Sequence, residues 1–433
     1  MSLRLRNEAI RKEKKRQGDQ RKMKNWMQKA EGRSTDMNHL QLKYNLVQIA
    51  FWAASCAICA FIAIFLQAKG LTNTQIGTVT GGACILNIVL SPYLSGLTSR
   101  FNKISLQSFI MAGMAVTVIG YLLCAYAALP VIALMVVYMV TYCVNISMVP
   151  LIASISMNYT AAGHEVNFGL ARGLGSITYA ICAVGLTQMT TIFNPMILSV
   201  IYLAGVAAFF AVLLTTPKTY AAGSEKAKGG NLIEMAGKYK SFFAVLVGFA
   251  FLFTAVTSLA TYQINIIKNL GGTEAIYGIS VFASAATELP FMAMAGRLQK
   301  RFSAMNLMAA AAVCYIARNL LIAYAPTLPL MFLGLMLQGA SYGLMTAVIT
   351  VYVTDHLESQ DQVMGQTMIS VLTCGVGSCL GNVLGGILQD TMGIDVMFFF
   401  TSLVTLIGAA IIILTVAASN RLIIRRAHKS YQM

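Results

Sequence analysis

Charge is what this sequence has least of. Only 11% of its 433 residues are Asp, Glu, Lys or Arg, roughly half of what a soluble protein of this length carries. That excludes a water-soluble globule. Apolar runs of about 20 residues recur from Tyr44 onward, each long enough for a transmembrane helix, so the chain reads as a polytopic membrane protein. Histidine is also scarce: His39, His164, His356 and His428 all lie outside the apolar runs. The nine cysteines (Cys56, Cys59, Cys84, Cys124, Cys143, Cys182, Cys314, Cys374, Cys379) all lie inside them. A mixed His/Cys metal site therefore has nothing to build on, and the cysteines read as small apolar filling, the Cys56-x-x-Cys59 pair included. No metal or other cofactor is expected. There is no Walker A sequence G-x-x-x-x-G-K-[ST], which excludes ATP hydrolysis by that route, and the chain is not read as an enzyme. The opening residues are polar and basic, with no short apolar core of the kind a cleavable signal peptide carries.

What charge there is sits in particular places. The net charge of +16 is concentrated in terminal and connecting segments, a distribution that argues against nucleic acid as partner. Residues 1–43 hold thirteen Lys/Arg and five acids. They are expected to form a basic cytoplasmic tail, with a second reading as a surface helix on anionic lipid through Met23, Trp26 and Met27. Twelve apolar spans follow, at 44–68, 74–99, 104–127, 131–158, 166–192, 196–215, 241–268, 274–299, 304–324, 328–355, 363–389 and 395–419. The polar connector 216–240 splits them six and six. The expected organisation is a tail (1–43), an N-terminal six-helix bundle (44–215), a cytoplasmic central loop (216–240), a C-terminal six-helix bundle (241–419) and a second basic tail (420–433). With the N-terminus inside, 27 of the 31 Lys/Arg fall in inner segments and only Lys69 and Lys268 in outer loops. Both termini are thus expected in the cytoplasm of a multi-pass plasma-membrane protein.

A faint internal repeat links the halves. A shift of 201 residues lays Gly77 on Gly278, Arg100–Phe101 on Arg301–Phe302, and Asn87 opposite Glu288. Duplicated six-helix halves joined by a cytoplasmic loop are how many secondary transporters are built, with substrate held near mid-membrane between the halves.

Three charges remain inside the spans. Glu288 is the one carboxylate near mid-membrane, in a helix that also carries Pro290, and Arg172 and Arg318 are the two buried cations. A charge at that depth costs about 2.5–3.5 kcal/mol on insertion scales and marks a partner or a task. The three are expected to form a hydrogen-bonded triad lining a water-filled cavity, against the plainer reading of an ion pair that fixes helix packing. Further polar groups lie at depth: Gln67, Asn87, Asn145, Gln188, Gln263, Asn265, Gln338 and Asn382. Each reads singly as a helix–helix hydrogen bond, and Tyr142, Tyr179, Tyr262, Tyr315 and Tyr342 singly as core packing. Together they suit a cavity for a small polar organic solute better than an ion filter.

These residues resemble a known family. The twelve-span region, about 44–419, is similar to the major facilitator superfamily, in its lactose permease-like branch of oligosaccharide or nucleoside proton symporters. NFGLARGLGSITYA (167–180) resembles the start of that family's fifth helix, whose F-G-x-A-R arginine contacts sugar; this falls on Arg172. SAATELPFMAMAGRL (284–298) resembles its eighth helix, with Glu288 at a sugar-binding position. Arg318 in CYIARNLL matches an arginine of proton coupling, and Gln338 in MLQGASYGL stands at a tenth-helix histidine position. Three departures stand out. Ser341 replaces the proton-carrying glutamate, Ser154 and its neighbours occupy the region of the fourth-helix glutamate, and the loop motif is degenerate at Gly96–Arg100 and Gly296–Lys300. Span five also lacks the G-P-x-x-G-G of drug antiporters. The resemblance implies an all-α, twelve-helix fold of two pseudo-symmetric bundles working as a monomer by alternating access. It implies proton-coupled import of a sugar, oligosaccharide or nucleoside. Arg172, Glu288, Asn145, Gln338 and Asn87 are the candidate substrate residues, and Glu288 and Arg318 those of proton coupling. With the coupling pair replaced, Glu288 must carry more of the proton's work, or a span-end acid such as Asp355 must help. A uniporter, a proton-driven exporter of amphiphiles, and a non-transporting receptor using the basic tail are the rival readings.

Overall fold

The computed structural model describes residues 39–431, apart from Asn102, Glu165 and 221–231. Most of the basic N-terminal tail, with its expected lipid-facing Met23, Trp26 and Met27, lies outside the described residues. Among the described residues, twelve helices are long and apolar enough to cross a bilayer: Leu40–Cys59, Asn73–Thr98, Leu106–Tyr126, Val131–Ala161, Phe168–Ile192, Ile197–Leu214, Lys240–Thr261, Glu274–Gln299, Ala304–Tyr324, Leu328–His356, Met364–Met392 and Ile394–Arg421. They are called the first to twelfth spans below. The first begins four residues before the expected boundary, and the last helix runs on to Tyr431.

Local chemistry explains where helices start and stop. The second span opens with a capping box, in which the Thr72 hydroxyl accepts from the Gln75 amide and the Gln75 side chain from Thr72 N–H. Ser105, Asn167 and Ser303 cap the third, fifth and ninth spans through side-chain oxygens. Gly70 and Gly271 turn the chain with φ of +83° and +74°, a region open to glycine without a Cβ clash.

Two of the expected continuous spans are broken. The first span stops at Cys59 and restarts as Ile62–Ala68, and the seventh stops at Thr261 and restarts as Gln263–Asn269. The breaks at Phe61 and Tyr262 are 201 residues apart, as are Gly70 and Gly271. The backbone therefore repeats more clearly than the side chains do. A break frees carbonyls that lipid cannot hydrate, so other groups must take them. The hydroxyls of Tyr121 and Tyr138 donate to Ala57 and Ile58 O at 3.2 and 3.0 Å, and the Tyr277 hydroxyl donates to Ala60 O from the other half.

The chain's described ends and the central connector share one end of the bundle, the terminal end; the loop at Gly70 marks the distal end. At the terminal end Gln41 holds Asn167, with the Asn167 amide donating at 2.6 Å. The connector helix Leu232–Lys238 is tied there to the turn after the tenth span: Lys238 pairs with Glu358 at 2.7 Å and Asp361 at 3.2 Å.

The halves meet mainly at the distal end. Tyr262 donates to Asn73 O and Asn382 O at 2.9 and 2.8 Å, and Gln67 donates to Asn265 at 3.0 Å. Asp390 on the eleventh span accepts from Asn73 N–H, Asn73 Nδ2 and Thr74 N–H at 3.2, 2.9 and 2.6 Å. A carboxylate there complements the N-terminus of the second span. Glycines allow the approach: a Cβ on Gly77 would sit 2.2 Å from Asn382 O, and one on Gly278 2.3 Å from Ala183 O. Along the second span, Ile76, Val79 and Ala83 are fully buried while Val89 and Tyr93 further along are 72% and 63% exposed. The molecule is closed at the distal end and splayed at the terminal end.

Candidate functional site

Between the halves lies a cavity whose chambers all meet at Glu288. The innermost, about 270 Å³, reaches the distal seal and is walled by Tyr142, Tyr179, Tyr277, Glu288, Arg318 and Gln338 among others. A smaller chamber of about 200 Å³ is lined by Trp52, Arg172, Ser176, Tyr179, Glu288 and Tyr342. A third, about 560 Å³, runs on toward the terminal end past Phe168, Arg172, Met292 and Thr346.

Glu288 is half-buried on the eighth span, and its Oε1 accepts from Gln338 Nε2 at 3.0 Å. The tenth span makes this possible by changing its winding: Gly339–Gly343 is a π-helical turn that lies against the eighth. A Cβ on Gly339 would come within 2.0 Å of Thr287 O, and the Gly339 amide donates to Thr287 Oγ1 at 3.1 Å. Glycine at 339 thus sets the closeness that brings Gln338 to the carboxylate.

Arg172 faces Glu288 across the smaller chamber but is held by its own half. Its Nη1 donates to Ser176 at 2.6 Å, and its guanidinium carbon stands 4.0 Å from the centre of the Trp52 ring. Trp52 is itself fixed: its N–H donates to Gln48 at 3.1 Å, and Gln48 donates to the Tyr44 hydroxyl at 2.9 Å. Gly175 leaves room for the indole edge, since a Cβ there would lie 2.5 Å from it.

Arg318, 3% exposed, donates from Nη1 to Asn319 Oδ1 at 2.6 Å, and Asn319 donates to Thr405 at 2.8 Å. The expected hydrogen-bonded triad of Glu288, Arg172 and Arg318 is therefore not assembled. Among the described residues neither arginine lies within ion-pair distance of Glu288. Each charge instead binds a neutral neighbour, Gln338, Ser176 with Trp52, and Asn319.

The other expected site residues separate. Asn145 is 1% exposed and uses its amide on Tyr202 at 3.0 Å and Ser55 at 3.4 Å, so it ties the fourth span to the sixth and first. Asn87 accepts from Ser147 at 2.6 Å between the second and fourth spans. Neither is among the residues walling the three chambers. Ser341 is fully buried and donates back to Leu337 O at 2.8 Å. Of the tyrosines, Tyr142, Tyr179 and Tyr342 wall the cavity, whereas Tyr262 and Tyr315 are fully buried. Asp355 lies exposed near the end of the tenth span, away from these walls. Trp52 and Gln48 were legible in principle. With Tyr44 they form a polar and aromatic stripe every fourth residue on an apolar helix, the spacing of one helix face.

Two six-helix bundles around a polar cavity, closed at one end and open at the other, define a membrane transporter of the major facilitator type. The model of the MFS_1 like family matches residues 41–400, and the chain belongs to that family. A maltose permease of Geobacillus stearothermophilus is 25% identical over 379 residues, 86% of this chain and 93% of its own length. The uncharacterized transporter YwbF of Bacillus subtilis (strain 168) is 21% identical over 362 residues, 81% of this chain and 87% of its own. Among solved structures, the nucleoside transporter NupG superposes with a TM-score of 0.70 at 19% identity, covering 87% of this chain and 98% of that one. A bacterial homologue of the lysosomal transporter Spinster, in an inward-facing and unoccupied conformation, gives a TM-score of 0.64 at 13% identity over 88% and 97%. These structural likenesses speak for the fold.

Proposed function

We propose that this protein imports a sugar, oligosaccharide or nucleoside across the cell membrane together with a proton, by alternating access. The observation that carries the reading is the wall of the cavity. It combines one carboxylate, Glu288, with a guanidinium at Arg172, an amide at Gln338 and the rings of Trp52, Tyr142, Tyr179 and Tyr342. Such a wall suits a neutral, hydroxyl-bearing ring: carboxylate and guanidinium give charge-assisted hydrogen bonds, and aromatic faces take the ring's apolar side. The relatives named a maltose permease and a nucleoside transporter support the same substrate classes.

The skew of Lys/Arg toward the terminal end supports a cytoplasmic position for that end under the positive-inside rule. The open end of the cavity is then the inward one. Glu288 is the carboxylate in this wall, so it carries the proton as well as touching substrate. Arg318 supplies a positive charge fixed in the same half as Glu288, while Arg172 faces the carboxylate from the other half, so the charge around Glu288 changes as the halves rock. Asn145 and Asn87 take a supporting part, holding the helices that carry Tyr142 and the second span. A uniport reading has one observation in its favour, since the partner of Glu288 is an amide that cannot titrate. Uptake of labelled maltose and uridine into proteoliposomes, with and without an imposed inward proton gradient, tests the proposal. Accumulation driven by the gradient is expected; uptake indifferent to the gradient would overturn the proton coupling and leave a uniporter.

A further inference from the structure

Arg172 is a charge held without an acid. Among the described residues no carboxylate lies within ion-pair distance of it. Its Nη1 goes to Ser176, and its guanidinium stands over the Trp52 ring with the carbon 4.0 Å from the ring centre. A carboxylate would take two guanidinium N–H groups in a forked pair, whereas a ring face takes none. The N–H groups not used on Ser176 are therefore left for whatever enters the chambers that Arg172 lines.

This arrangement depends on where the ring stands, and the first span fixes that. Tyr44, Gln48 and Trp52 recur every fourth residue and share one helix face. The indole N–H can only donate, so the Gln48 atom facing it at 3.1 Å is the carbonyl oxygen. The amide nitrogen then donates at 2.9 Å to the Tyr44 hydroxyl, which gives its own proton to Ile152 O of the fourth span at 3.2 Å. Every group in the row has one direction to point. Gln48 is 3% exposed and Tyr44 fully buried, and neither walls a chamber. Gly175 of the fifth span admits the row, since a Cβ there would lie 2.5 Å from the indole and 3.3 Å from the Gln48 backbone oxygen. Tyr179 meets the indole edge-on from the same span, with ring centres 6.0 Å apart.

We propose that Gln48 is a positioning residue of the transport site. It touches no substrate. It holds the Trp52 indole, and the indole face holds Arg172 with N–H groups free for an acceptor oxygen of the solute. The inference deepens the transporter reading above and rests on it.

The sequence has two tryptophans, Trp26 in the basic tail and Trp52, so in a Trp26→Phe protein Trp52 is the sole tryptophan emitter. The first arm of the test uses that full-length protein in detergent, without ligand, and reads the time-resolved fluorescence anisotropy of Trp52. Gln48→Leu is expected to lower the residual anisotropy, because the indole loses its anchor. Gln48→Glu is expected to restore it, because a carboxyl oxygen still accepts from the indole N–H. The second arm measures affinity for maltose and uridine by titration calorimetry. For the probe that binds, Gln48→Leu is expected to weaken affinity about 2- to 10-fold, the range of one neutral hydrogen bond, and Gln48→Glu to recover most of the loss. In an Arg172→Lys background Gln48→Leu is expected to have no further effect, since nothing remains for it to position.

A loss that persists at full size in that background overturns the proposal, and so does unchanged anisotropy in Gln48→Leu. Where Gln48→Leu does not fold, Trp52→Phe, which keeps a ring face and lacks the N–H, replaces it in the affinity cycle. Where Arg172→Lys no longer binds either probe, the anisotropy and the recovery by Gln48→Glu decide. A wild-type protein that binds neither maltose nor uridine overturns the transporter reading, a failure distinct from an indole that Gln48 does not hold.

Discussion

The two halves of this molecule treat their buried polar groups in opposite ways. In the N-terminal half they close on one another: Tyr202 binds Thr117 and Asn145, Asn145 reaches Ser55, Asn87 takes Ser147, and Trp52, Gln48 and Tyr44 form a chain. Even Arg172 is held by Ser176 and the Trp52 face. In the C-terminal half the polar atoms around Glu288, Arg318 and Gln338 are only partly satisfied. A saturated network makes a rigid platform, and an unsaturated one makes a binding surface. The N-terminal half therefore reads as the stage on which the C-terminal half works.

The largest expected effect tests that division at its centre. Glu288→Gln removes the cavity's carboxylate and should abolish gradient-driven accumulation, with binding weakened by about 10- to 150-fold from the lost charged hydrogen bond. Glu358→Gln is its control, since that acid pairs with Lys238 at the terminal end with 58% of its side chain exposed, where ion pairs contribute about 0–1 kcal/mol. Flux assays on both should separate them widely. Equal losses would break the picture of a functional centre at Glu288.

Next comes the seal between the halves. Gly278→Leu forces a side chain into Ala183 O and Thr187, at 2.3 and 2.5 Å from its Cβ, neither of which can yield cheaply. The distal end should fail to close, transport should stop, and Cys59, which walls the innermost chamber, should become alkylable from the distal side. Gly173→Ala, whose Cβ would meet only the end of Leu289 at 3.3 Å, should keep most of its uptake. If both variants behave alike, the glycine at 278 does not set the closure.

How much of this was legible beforehand depends on the physics each feature uses. Span number and the six-and-six division came from long apolar runs, which lipid imposes on the sequence directly, and the family from short motifs around Arg172, Glu288, Arg318 and Gln338. Glu288, Arg172 and Gln338 were legible because charge and amide at depth are rare. The triad was misread. Counting charges tells which ones are buried, and not whether Ser176, Asn319 or Gln338 stands nearer than the opposite charge. Asn145 looked like Gln338 on paper, one amide in an apolar span. Its neighbours on two other helices decided its role, and no local pattern records them. The helix breaks at Phe61 and Tyr262 were hidden for the same reason, since tyrosines from distant spans supply the hydrogen bonds that make the first of them tolerable.

That contrast between two amides gives a sharper comparison of the halves. Asn145→Leu takes the partner of Ser55 and one of the two partners of the Tyr202 hydroxyl in a buried site and should lower stability by about 1–3 kcal/mol. Gln338→Leu should cost far less stability, because half of its amide is already unpartnered, while it weakens ligand binding. Melting temperature and ligand affinity measured on the same two proteins should move in opposite order. A Gln338→Leu protein that melts as early as Asn145→Leu would show the C-terminal amide to be structural as well.

The smallest effect lies where the halves touch at the distal rim. Asp390 accepts from two backbone amides and one side-chain amide at the start of the second span, a contact between halves that must part whenever the distal end opens. Its charge meets a helix N-terminus, an interaction of about 0.3–1 kcal/mol at a surface position. Asp390→Asn keeps the size and loses that charge, so it should shift the balance between closed and open distal ends by no more than about fivefold toward open. The shift should fade as salt is raised, since an exposed charge is screened while the glycine contacts below it are not. Alkylation of Cys59 from the distal side, compared at low and high salt, reads both quantities at once. A shift that ignores salt would mean that Asp390 closes the rim by shape, as Gly278 does, and not by charge.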